Sequence, residues 1–159
     1  MMLEEALTEQ IIGAAIEVHG YWGPGLVESI YEKSLNYELN LRGIEVRRQV
    51  PLCLKYKEHD LGDEFRVDLI VAEKVVVELK VVKELLPIHE AQLLTYMRLT
   101  HCRVGLLINF NVVRLRDGIK RMVLSSLSLR DLCDLQRSGW WKRVNHGEHG
   151  GHGEQNVAL

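Results

Sequence analysis

Apolar positions at Leu3, Leu7, Ile11, Ala14, Ala15 and Val18 recur at helical spacing and predict an amphipathic helix over about residues 3–20. Gly20, Gly23, Pro24 and Gly25 then force a loop. A second helix is expected over about 26–42, with Val27, Ile30, Tyr31, Leu35 and Leu39 on or near one face and Gly43 as its stop. Strand-like runs follow at 45–50, 52–56, 65–71 and 75–82, with a polar turn around 58–63. Pro87 opens a third helix over about 88–100, where proline is tolerated. Residues 103–110 read as a buried strand, and 112–116 with 121–124 as a final hairpin across Asp117-Gly118. This order predicts a mixed α/β domain over 1–126, its helices flanking a sheet. A helical extension is expected over 127–145, with a short helix near 129–136 ahead of Trp140-Trp141. The Gly/His-rich segment 146–159 has no periodic apolar face and is expected to be disordered.

Composition narrows the class. A chain of 159 residues with 47% apolar content can bury one hydrophobic core. Cys53, Cys102 and Cys133 are odd in number, widely spaced and without CxxC or Cys/His pairing, so they read as reduced structural cysteines of a cytoplasmic protein. No apolar run approaches a membrane span, and the early Glu4 and Glu5 do not suit a signal peptide. A net charge of -2 announces no global nucleic-acid footprint. A local basic rim is still available from Arg47, Arg48, Arg66, Arg98, Arg103, Arg114, Arg116, Lys120 and Arg121.

One run breaks the apolar pattern. Glu78 and Lys80 stand two residues apart in the strand-like Val75–Val82 and therefore share a face, opposite Leu79. Charges in such a strand are costly unless paired or holding a metal. If Ala72-Glu73-Lys74 is a turn, Val71 pairs with Val75, and the same register sets Asp68 opposite Glu78. In a metal-dependent phosphodiester hydrolase, Asp68, Glu78 and the Leu79 carbonyl would hold Mg²⁺ or Mn²⁺. Lys80 would then orient or help deprotonate the attacking water. The plainer alternative is a buried ion pair on a sheet edge.

Other residues carry two readings each. Glu28 either joins the metal shell or is a glutamate favoured by the helix macrodipole, with Tyr31 one turn later on the same side. His89, Gln92 and Tyr96 share a stripe of the third helix, suited either to a substrate phosphate or to solvent. His19 suits a helix end. Trp140-Trp141 suits packing more than base stacking, and His146, His149 and His152 suit adventitious metal binding.

Taken together, several segments resemble one family. Gly25-Leu26-Val27-Glu28-Ser29-Ile30-Tyr31-Glu32 matches the signature that names the GxxExxY proteins. Similar segments are Ile12–His19, Gly23–Gly25, Arg66–Leu69, Val77–Lys80, His89–Tyr96 and Leu107–Phe110, so the resemblance spans about 8–123 in the right order. That family is regarded as a branch of the PD-(D/E)XK nuclease-like superfamily, with Val67 where the name expects proline. The resemblance implies a restriction-endonuclease-like mixed β-sheet flanked by α-helices. It implies Asp68, Glu78 and Lys80 as the catalytic motif, joined by Glu28, and Gln92 and Tyr96 as supporting residues resembling a RecB-type Q-x-x-x-Y element. The expected activity is Mg²⁺- or Mn²⁺-dependent hydrolysis of DNA, with exonuclease-like action preferred. A non-catalytic module binding nucleic acid or protein is the alternative. No membrane partner is expected, and a homo-oligomer is left open.

Overall fold

The structure, a computed structural model, describes residues 4–125, apart from the side chains of residues 63 and 64. The expected domain boundary at 126, the extension with its helix, Cys133, Trp140-Trp141 and the Gly/His-rich tail lie outside the described residues. Helices α1 (Glu5–Trp22) and α2 (Glu28–Leu41) lead into strands β1 (Val46–Tyr56), β2 (His59–Val71) and β3 (Val75–Lys80). Helix α3 (Pro87–Leu99), β4 (Val104–Asn109), a 3-10 turn (Leu115–Gly118) and β5 (Ile119–Val123) follow. The five strands lie in the order β1-β2-β3-β4-β5. Neighbours are antiparallel except β3 and β4, which run parallel. Parallel neighbours need a long crossover, and α3 supplies it. This is the expected α/β architecture, a mixed sheet flanked by helices.

The sheet is buried on both faces, which explains why β3 opens with three consecutive valines. Leu69, Val71, Val75, Val77, Leu106 and Ile108 pack with Ile11, Ala14, Leu35 and Leu39 of α1 and α2. Ile70, Val76 and Leu107 pack with Leu93, Tyr96 and Met97 of α3. Full burial of one such side chain contributes roughly 1.5–3 kcal/mol. Gly105 lets α3 settle closely on β4: a Cβ there would lie 2.6 Å from Met97 Sδ. That approach fixes the height of Tyr96 above the sheet.

Most expected elements form, and four boundaries need correction. Helix α1 runs through Gly20 to Trp22 and stops at Gly23, whose N–H bonds the His19 carbonyl. Burial of Val18 and His19 offsets the roughly 1 kcal/mol that a mid-helix glycine costs. The two strands expected over 45–56 are one strand, because residues on both sides of Pro51 pair with β2 in a single register, from Val46 against Val71 to Leu52 against Phe65. The turn expected at 58–63 is tighter, with Lys57 in the left-handed region and β2 already begun at His59. The final hairpin does not form as expected. Leu115 joins the core beside α1, and the Val112 carbonyl bonds His19, so this segment leaves the sheet and β5 pairs with β4 instead. The α2 stop is as expected: Gly43 N–H bonds Asn40 O at 2.9 Å and Ile44 N–H bonds Leu39 O at 3.0 Å. Cys53 and Cys102 are free. Among the described residues, no helix is long and apolar enough to cross a membrane.

Candidate active site

The β2–β3 hairpin has the register the sequence suggests, with Val71, Ile70 and Leu69 facing Val75, Val76 and Val77. The ladder then ends, one step short of Asp68 and Glu78. Alternation along β2 breaks at the same place, since Val67 and Ile70 join the α3-side cluster while Leu69 and Val71 join the other. Strand β2 thus departs from β3 at Asp68. Its carboxylate replaces the missing backbone partner: Leu79 N–H donates to Asp68 Oδ2 at 2.8 Å. A strand residue's N–H and C=O point to the same side, so the Leu79 carbonyl also faces this opening.

Glu78 is 3% exposed. Lys80 Nζ donates to Glu78 Oε1 at 2.8 Å, while Glu78 Oε2 is buried with no hydrogen-bond partner among the described residues. Burial above all, then the charge of Asp68, pushes Glu78 up to about 8 against the pull of Lys80. Burial also raises Asp68, opposed chiefly by the Leu79 N–H. For Lys80, burial favours the neutral amine, but Glu78, Glu28 and Asp68 together outweigh it and hold the proton on.

A cation would relieve this arrangement. A buried carboxylate oxygen without a partner is costly, and two carboxylates with a carbonyl form a hard oxygen donor set. Among the described residues, no three His, Cys, Asp or Glu side chains converge on a metal position. Glu28 therefore does not complete a three-carboxylate cage. Mg²⁺, which keeps several waters, needs only one or two carboxylates, so the donors present fit it.

Glu28 opens α2 and is half-buried; burial first, then Asp68, raises its carboxyl, with Lys80 opposing. Its placement explains the Gly25…Glu28…Tyr31 spacing. Gly25 turns the chain at φ 105°, a conformation that side chains disfavour. Fully buried Tyr31 then clamps the loop, donating from its hydroxyl to Gly23 O and accepting from Leu26 N–H. Its ring stacks on Phe110 at 4.5 Å, and Phe110 N–H bonds the Lys80 carbonyl. Tyr31 is thus a clamp between the start of α2 and the end of β3, outside the carboxylate group itself.

On α3, Gln92 Nε2 donates to Tyr96 Oη at 2.9 Å. Burial and the Glu78 charge raise the Tyr96 phenol. His89 Nδ1 accepts Leu86 N–H at 3.0 Å and so caps α3; burial and then Lys80 lower its pKa. His19 lies elsewhere, with Nε2 2.8 Å from Val112 O. A groove of about 490 Å³, lined by residues of α1 and α2 such as Tyr21, Trp22 and Tyr37, contains none of the site residues.

Sequence reasoning gave no role to two neighbours. Glu32 is buried, and its carboxylate accepts from Arg48 Nε at 3.0 Å and Gln49 Nε2 at 2.7 Å. The same Gln49 nitrogen lies 3.4 Å from Asp68 Oδ1. Glu32 could have been found from its i,i+4 spacing to Glu28. Nothing in the sequence marks Gln49, whose backbone is left-handed at φ 49°.

A family model described as PD-(D/E)XK nuclease superfamily matches residues 5–122. The chain belongs to that superfamily. The search of curated proteins and the search of solved structures matched nothing.

Proposed function

We propose that this protein is a Mg²⁺- or Mn²⁺-dependent nuclease of the GxxExxY branch that hydrolyses phosphodiester bonds in DNA. The observation that carries the reading is the buried Glu78 Oε2, without a hydrogen-bond partner among the described residues, on a side chain that pairs with Lys80 and lies within reach of the Asp68 charge. Asp68, Glu78 and the Leu79 carbonyl would hold the cation, which when bound would polarise the phosphodiester and activate water. Lys80 orients the attacking water and offsets negative charge developing on the phosphate. Glu28 accepts hydrogen bonds from water at the mouth of α2. Tyr96, steadied by Gln92, and the remaining ring nitrogen of His89 face the substrate. The Gln92/Tyr96 pair favours exonuclease-like action, and unpaired Cys53 and Cys102 suit a cytoplasmic setting.

The test incubates the protein with end-labelled single-stranded DNA, duplex DNA or RNA in Mg²⁺, Mn²⁺ or EDTA. Cleavage of DNA that EDTA abolishes is expected. Activity that survives intact in Lys80→Ala would sink the proposal. A second reading, a non-catalytic binding module on the same fold, is motivated by the net charge of -2 and the aromatic content of 6%. It predicts no heat of Mn²⁺ binding and retained nucleic-acid or protein binding in Glu78→Ala.

A further inference from the structure

We infer that Gln49 is a positioning residue for Asp68, held in place by the buried Glu32 carboxylate; the inference rests on Asp68 as a site carboxylate. Four side chains form one line: Arg48 donates to Glu32, Gln49 donates to Glu32, and the same Gln49 amide reaches toward Asp68. The 2.7 Å bond to Glu32 is the anchor. The 3.4 Å approach to Asp68 is the guiding contact, of the length that catalytic hydrogen bonds have before a ligand tightens them.

The backbone supports this assignment. Arg48 pairs with Leu69 and Val50 with Val67, while Gln49, the residue between them, leaves the ladder in a left-handed conformation. A glutamine gains nothing locally from that state, which costs a non-glycine residue about a kcal/mol or more. It does turn the amide toward two carboxylates from different elements, one on α2 and one on β2. Asp68 is then gripped from both oxygens, by Gln49 on Oδ1 and by Leu79 N–H on Oδ2. Partners one step behind a metal-ligating side chain fix its orientation, and losing one lowers metal affinity or activity about 10–100-fold. Here the donor bridges two acids, so one amide sets the spacing of both.

The experiment compares wild type with Gln49→Met, full-length in each case. Methionine keeps the length and the left-handed backbone cost while removing the donor. The first readout needs no metal: hydrogen exchange of the Leu79 amide, followed by NMR. Release of Asp68 should accelerate it about tenfold or more, while the Lys80 amide, on the β4 side of the strand, stays protected. The second readout is calorimetry with Mn²⁺ alone, where Kd should rise about 10–100-fold. A lowered Tm with unchanged Leu79 exchange and unchanged Mn²⁺ affinity overturns the inference, because Gln49 would then only brace β1. If wild type binds no Mn²⁺ but Gln49→Met still frees the Leu79 amide, the positioning role stands and the nuclease reading falls. Should Gln49→Met fail to fold, Glu32→Gln removes the anchor's charge and is read by the same amide.

Discussion

Strand β3 carries two groups of side chains of opposite character. Val75, Val76 and Val77 are fully enclosed, and each side chain lies in one of the two apolar clusters. One residue later, Glu78 is 3% exposed and has an oxygen with no partner, while Lys80 is drawn in beside it. The three valines gain from leaving water, whereas Glu78 and Lys80 are held there at a cost. The well-packed group is the rigid mount that keeps the costly group in place. Stability and chemistry are thus separated within six residues.

That division predicts opposite responses to substitution. The largest effect belongs to Glu78→Gln, which should lower cleavage about 10²–10³-fold in Mg²⁺. Its metal-free stability at pH 7 should stay within about 1 kcal/mol of wild type, because Glu78 is raised to about 8 and glutamine resembles its protonated form. A loss of ~3–5 kcal/mol in denaturant titrations would instead mark Glu78–Lys80 as a structural ion pair. Next comes Val77→Ala, expected to cost about 2 kcal/mol while leaving Mn²⁺ affinity unchanged. An affinity loss there would erase the separation.

A smaller effect is the pH dependence of metal-free stability. The folded protein keeps the Glu78 proton that the unfolded chain releases near 4.5, so this contribution is present below 4.5 and is lost as pH rises through about 8. Asp68 and Glu28, also raised, act in the same direction. His89, lowered from 6.5, acts oppositely and only below that value. Urea titrations should therefore show stability falling with pH between about 4.5 and 8, by at most about 1.4 kcal/mol per pH unit for one proton. Glu78→Gln should flatten the slope. If the slope is unchanged, burial of Glu78 is not its source. Smallest is Tyr31→Phe, which keeps the stack on Phe110 but loses the loop clamp. It should cost about 1 kcal/mol in Tm-derived stability, with cleavage lowered through a looser Glu28.

The legibility of this molecule followed range. Short-range chemistry was readable: Gly43 ends α2, Pro87 opens α3, and the three residues between Val71 and Val75 set the hairpin register. That register led to Asp68 and Glu78, and the electrostatics gather Glu28 and Lys80 around them. Long-range contacts were not readable. The segment after β4 becomes a 3-10 turn because Leu115 and the Val112 carbonyl are captured by distant helix residues. Gln49 escaped for a related reason, since its meaning depends on a backbone angle and on two acids far away in sequence. Tyr31 was visible as part of a signature, but its loop contacts and its stack on Phe110 needed three dimensions.

The kink at Gln49 in the edge strand β1 has a consequence for self-association. An open sheet border is a template onto which another chain can polymerise. The middle of β1 leaves its ladder at Gln49, where the backbone turns left-handed, and Pro51 follows two residues later. A foreign strand meeting that border finds an interrupted row of backbone groups. Continuous strand-to-strand fusion through β1 is thereby discouraged, and any pairing of two copies is steered toward another surface.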